Sequence, residues 1–213
     1  MEQSEFQSKM SRIKSFVKIG FIVSLILTVL CLLLLITFNF AGVFTIQTLP
    51  GTKYENAFTY PGWQAIYWGV GEMIIQGYTE FTFNIFNFLG FLLPFLGIIV
   101  WLVMYLKSYK VRGTNKKKAI LEFVAAGLIL FGGFMLFFCD KFAIMNAKNV
   151  KDSYQNYYTE YLLPAINGEV SFQKTFFPVL LLIISILTAL VKVANGCLLI
   201  FQKKFALKNK GAK

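Results

Sequence analysis

The chain has 213 residues, 57% hydrophobic and 15% charged, with a formal net charge of +11 and no histidine. So apolar a composition excludes an ordinary soluble domain, and the missing imidazoles exclude His-based acid–base catalysis, His metal ligation and histidine pH sensing. Cys31 and Cys197 fall within apolar runs and Cys139 at the end of one, so the loops hold no disulfide framework.

A basic stretch, residues 1–16, leads into the first apolar run, Val17 to Phe38. The run exceeds the roughly 7–15 apolar residues of a secretory signal, and Phe38-Asn39-Phe40-Ala41-Gly42 is a poor cleavage site, so it reads as a retained anchor. A polar loop, 39–84, follows. Leu49-Pro50-Gly51-Thr52 and Tyr60-Pro61-Gly62-Trp63 are turn signals in it. Val43 to Ile46 is strand-prone and Thr79 to Ile85 alternates polar with apolar residues, which predicts a small sheet or hairpin cap. Trp63, Tyr67, Trp68 and Tyr78 read as an aromatic belt at the outer membrane surface, with a ligand platform as the alternative.

The second run, Ile85 to Leu106, carries Pro94 near its middle, which predicts a kink or hinge. A basic link, 107–118, connects it to the third run, Ala119 to Cys139. In the second polar loop, 140–175, Tyr154, Tyr157, Tyr158 and Tyr161 are spaced i, i+3, i+4, i+7 behind a cap at Asp152 or Ser153 and ahead of Pro164. That pattern predicts a short amphipathic helix on the membrane surface, with recognition of an external partner or glycan as the functional alternative. Asp140, Glu160 and Glu169 are isolated loop acids with no partner evident from spacing, so no catalytic acid pair is read. The fourth run, Phe176 to Phe201, ends in a basic tail, 202–213.

Each run supplies about 20 residues or more at ~1.5 Å rise, enough for a hydrocarbon core of ~30 Å. The expected fold is therefore an all-α membrane protein: a four-helix transmembrane bundle of two tandem helical hairpins, with a small, strand-prone extracellular cap. Fifteen of the 21 basic residues, counting Lys18 at the very start of the first run, lie in or beside the N-terminal stretch, the middle link and the tail, against Glu2 and Glu5 alone. The two longer loops hold five lysines against seven acids. The positive-inside rule puts both termini and the link in the cytoplasm. The basic residues flank the runs without forming a basic-aromatic surface, so the expected partners are the bilayer and its anionic headgroups, and nucleic acid is not expected.

Small residues mark where helices approach closely in lipid. Gly20, Ser24, Thr28 and Cys31 share one face of the first run; Asn87, Gly90, Pro94 and Gly97 of the second; Ala126 and Gly133 of the third; Ser185, Ala189 and Gly196 of the fourth. Two ionisable residues lie clearly within the runs, Glu122 and Lys192, each on its small-residue face. Charge at bilayer depth costs about 2.5–3.5 kcal/mol at mid-span, so each calls for a reason. Helical rise puts Glu122 about 6 Å past Lys118 and Lys192 about 16 Å before Lys203, an offset near 10 Å. Three arrangements are open: independent snorkelling, a structural Glu122/Lys192 pair, or a water-filled site for an anionic substrate or a proton.

Gly62-Trp63-Gln64-Ala65-Ile66-Tyr67 and Phe86-Asn87-Phe88-Leu89-Gly90-Phe91-Leu92-Leu93-Pro94-Phe95, followed by a Lys-rich link and a Gly/Ala-rich third run, resemble uncharacterised four-span membrane proteins of low-GC Gram-positive bacteria and mollicutes. That resemblance implies no activity and assigns no residue a role. In span count and in its strand-prone first loop the chain is also similar to claudin-type proteins, but the paired loop cysteines of that pattern are missing. No catalytic, cofactor or metal signature stands out. The reading is a non-catalytic accessory, scaffold or envelope-interaction protein that works with a membrane-protein partner or as a homo-oligomer, with Trp63, Trp68 and the tyrosine stripe as its outer surface. The alternative is a small transporter or channel component using Glu122 and Lys192, with Pro94 as hinge.

Overall fold

The computed structural model of the chain describes residues 3–48, 56–67, 69–73, 77–81, 83–110, 115–146 and 170–210. In chain order they form α1 (Gln3–Phe38), β1 (Gly42–Thr48), β2 (Asn56–Pro61), α2 (Gly62–Ile66), β3 (Gly69–Met73), β4 (Gly77–Phe81), α3 (Ile85–Lys110), α4 (Asn115–Phe137), α5 (Cys139–Asn146), β5 (Val170–Lys174) and α6 (Phe176–Lys210). The chain is mostly helical, with a small sheet. Among the described residues four stretches are long and apolar enough to cross a membrane: Phe6–Phe38, Ile85–Val103, Lys116–Phe137 and Phe176–Lys204. The third apolar run, expected to continue to Cys139, breaks sooner: α4 ends at Phe137 and α5 opens at Cys139, with Asp140 in its first turn, where a carboxylate suits the positive end of a helix.

The chain divides into two compact units. The first comprises Met1–Leu33, Leu93–Gly132 and Ile183–Lys213, so it takes parts of α1, α3, α4 and α6. Here α1 and α6 run antiparallel along a polar seam. The Asn195 amide donates to the Gly20 carbonyl (2.8 Å), and Lys192 Nζ donates to Ser24 Oγ (3.2 Å). Thr188 Oγ1 donates to the Ile184 carbonyl of its own helix (2.7 Å) and reaches the Leu27 carbonyl at 3.4 Å. Cys31 Sγ lies 3.9 Å from Ser185 Oγ. Each turn taken forward along α1 is thus met by one turn back along α6, because side chains three and four apart share a helix face.

The α3/α4 seam relies on close packing around a glycine by contrast. A methyl group placed on Gly97 would lie 2.9 Å from the Leu128 Cβ, so α3 approaches α4 as closely as it does only because position 97 has no side chain. Gly196 of α6 receives the Phe123 ring of α4 in the same way, at 2.8 Å. Trp101, Ile98, Ile129 and Ala125 are fully or almost fully buried in this unit.

The second unit, Leu34–Leu92 and Gly133–Leu182, holds the strands. β1 is the centre of an antiparallel sheet of order β2-β1-β5, paired with β2 from Gly42 opposite Pro61 to Thr48 opposite Asn56 and with β5 from Phe44 opposite Lys174 to Thr48 opposite Val170. The strand tendency of residues 43–46 is therefore realised, and its second neighbour comes from the other loop. β3 and β4 pair separately as a two-stranded antiparallel sheet; β4 ends at Phe81, and α3 has begun by Ile85, the last residue of the alternating stretch.

Two asparagines tie this unit together. Asn84 Oδ1 accepts from the backbone N–H groups of Phe86 (3.1 Å) and Asn87 (3.0 Å), which is an N-cap of α3, while its amide donates to the Phe142 carbonyl of α5. The Asn87 amide donates to the carbonyls of Ala65 (2.8 Å) and Cys139 (3.2 Å). One buried side-chain amide thereby satisfies backbone groups of α2 and α5 from α3. Gly62, at the start of α2, faces the Phe38 carbonyl and ring so closely that any side chain would collide. Asp140, expected to be isolated, is paired: Lys174 Nζ stands 3.3 Å from its carboxylate and 3.6 Å above the centre of the Phe137 ring. The partner lies at the end of β5, a distance along the chain that no local spacing reveals.

Candidate functional site

An ion inside a helix apolar enough to cross a membrane must find a counter-charge, a polar neighbour or water. Lys192 of α6 and Glu122 of α4 find each other. Both residues have 0% relative exposure, and Nζ lies 3.7 Å from Glu122 Oε2. The pair is part of the first unit, where α1 supplies Ser24 and α3 supplies Trp101.

The ammonium is held on three sides. Ser24 Oγ accepts at 3.2 Å, the Trp101 ring presents its face 3.3 Å below, and Glu122 neutralises the charge. A cation over an indole face in a desolvated site gains about 2 kcal/mol or more. Trp101 is itself completely buried and packs against Phe21 at a centroid distance of 6.0 Å. Glu122 is held less well. Lys192 and the Trp101 indole are its nearest donors, yet neither carboxylate oxygen receives a hydrogen bond of normal geometry. Its 3.7 Å approach to the ammonium is an ion pair, longer than the ~2.7–2.9 Å of a charge-assisted hydrogen bond.

The offset near 10 Å expected along the helices does not keep the two charges apart, since Lys192 Nζ reaches to 3.7 Å from Glu122 Oε2. The long lysine stem spans the remaining gap. Of the other residues singled out in the sequence, Pro94 is buried inside α3, which runs unbroken from Ile85 to Lys110. Trp63 lies in α2 and is 41% exposed. Trp68, Tyr154, Tyr157, Tyr158 and Tyr161 lie outside the described residues.

Sequence reasoning missed Trp101. An aromatic residue in an apolar helix carries no local mark of stacking on a cation, and the only available signal was its spacing of four and seven residues from Gly97 and Pro94, which puts it on the same face. Among the described residues no cluster of three or more His, Cys, Asp or Glu side chains is placed to hold a metal ion. The chain matches no protein-family model, and no curated protein matches it.

Proposed function

We propose that the chain is a non-catalytic multi-pass membrane protein, an accessory, scaffold or envelope-interaction protein of a bacterial cell membrane. In this reading the four apolar helices form a transmembrane bundle with the termini and the 107–118 link in the cytoplasm, its basic residues facing anionic headgroups. The observation that carries it is the closure of the Glu122/Lys192 pair. Two charges that would line a substrate path are turned on each other and sealed by Ser24 and Trp101. In the loops, strands from both sides of the chain meet in one sheet and Trp63 stands half exposed.

Affinity recovery from native membranes in mild detergent tests it, comparing wild type with a variant in which Trp63 and Trp68 are both alanine. Stoichiometric recovery of a second membrane or surface protein, lost in the variant, is expected. A homo-oligomer with no companion, unchanged by the substitutions, would overturn it.

A second reading, a small transporter or channel component, is favoured by one feature: two opposite charges, Glu122 and Lys192, placed together inside apolar helices. It requires that Glu122→Gln abolish flux in reconstituted vesicles while leaving abundance and folding intact.

A further inference from the structure

Glycines in the long helices of this chain give a neighbouring helix room to approach. A Cβ on Gly20 would collide with the Asn195 amide, one on Gly90 with Met135, one on Gly97 with Leu128 and one on Gly196 with the Phe123 ring. Gly127 of α4 is different: it is exposed, and nothing lies within 4 Å of the place a Cβ would take. Glycine weakens a helix relative to alanine, because it loses more backbone freedom on folding and brings no side chain to pack. At the other four positions close packing offsets that loss. At Gly127 nothing among the described residues does.

Gly127 also interrupts an apolar ridge. Ile120, Val124 and Phe131 are spaced with it at four, three and four residues and are 52%, 50% and 58% exposed, so the four share one outward face of α4, turned away from Glu122. The outward face of α1 is built otherwise: Ile19, Ile22, Ile26, Val29 and Leu33 line it with large side chains throughout, which suits contact with lipid tails alone. We propose that Gly127 is the crossing point of a homodimer, in which α4 of one copy packs along α4 of a second copy within the membrane.

The ridge itself selects that occupant. It carries both halves of a contact, the notch at Gly127 and the bulk of Val124 and Phe131 on either side, so two copies related by a two-fold axis complement each other without a foreign surface. Copies inserted with the same sidedness bring their α4 helices together in parallel, and the alternation of four and three residues is that of a left-handed pair crossing at about +20°. From Ile120 to Phe131 the ridge bears no charge for a partner of opposite sign to meet. The exposed parts of Ile120, Val124 and Phe131 offer on the order of 200 Å² per copy. Twice that falls well short of the ~1,200 Å² of a stable interface in water, but between helices in lipid the drive is close backbone approach, which a glycine at the crossing point supplies. So small a contact makes the dimer a reversible one.

This inference goes beyond both readings above and rests on neither, since the contact uses neither the loops nor the Glu122/Lys192 pair. Energy transfer between donor- and acceptor-labelled copies of the full chain tests it, in vesicles of phosphatidylcholine and phosphatidylglycerol over a series of lipid dilutions. Wild type should show transfer that falls as lipid is added. Gly127→Leu should weaken association at least tenfold while circular dichroism stays unchanged, and Ile26→Ala, on the outward face of α1, should leave association as it was. Absence of transfer at every dilution overturns the proposal, because lipid or a helix of another protein then covers the ridge. Transfer that persists in Gly127→Leu, or falls as far in Ile26→Ala, overturns it as well, since the contact then lies elsewhere or is unspecific. Should Gly127→Leu lose helicity, Phe131→Ala replaces it under the same criteria.

Discussion

Two helix seams in the first unit solve one problem by opposite means. Between helices in lipid the hydrophobic effect provides no net drive, so association depends on close packing and on interhelical hydrogen bonds. The α3/α4 seam uses the first: Gly97 lets Leu128 reach the backbone of α3. The α1/α6 seam uses the second, with Asn195 on Gly20, Lys192 on Ser24, Thr188 near Leu27 and Cys31 near Ser185. The difference teaches that a polar seam sets register as well as contact. A glycine surface tolerates sliding, whereas a lysine that must sit over Trp101 and beside Ser24 has one position.

The comparison can be broken most forcefully at the charged pair. Lys192→Met leaves Glu122 buried without its counter-charge and should destabilise the protein by about 3–5 kcal/mol, whereas Lys192→Met with Glu122→Leu should recover most of the loss. Unfolding in lipid–detergent mixtures, read as a double-mutant cycle, measures this; additive single effects would dissolve the idea of a paired unit.

The glycine seam should respond next. Gly97→Ala places a methyl group 2.9 Å from Leu128 Cβ, an overpacking expected to cost about 1–3 kcal/mol. Gly127→Ala is its control, because nothing lies within 4 Å of the added carbon, and the same unfolding assay should register no loss. Equal losses at both positions would assign the effect to the helix backbone instead of the seam.

The smallest effect belongs to the outermost rung of the polar seam. Cys31 and Ser185 are 3.9 Å apart, and side-chain bonds between membrane helices average about 0.6 kcal/mol, so Ser185→Ala should cost no more than that. A larger loss would show that the seam acts cooperatively along its length.

Much of this was legible in the chain. The four apolar runs, the small-residue faces that carry Gly20, Ser24, Gly97 and Gly196, and the inward placement of Glu122 and Lys192 all follow from helical periodicity. The strand at residues 43–46 was visible as well. The pairing of Asp140 with Lys174, the clasp of Asn87 on Ala65 and Cys139, and the addition of β5 to β1 were not. Each joins segments far apart in the chain, and local pattern holds no information on which distant partner a polar group will meet.

The sequence by itself determined that four stretches would be helical and apolar enough to cross a membrane, and which face of each would be turned inward. Solvent preference and the 3.6-residue repeat are local properties, and they suffice for that. Only the tertiary structure decided that Lys192 stands over Trp101 and beside Ser24, and that Glu122 is paired yet poorly hydrogen-bonded. Axial register between helices is set by side-chain shape on both surfaces at once, a relation that no single helix encodes.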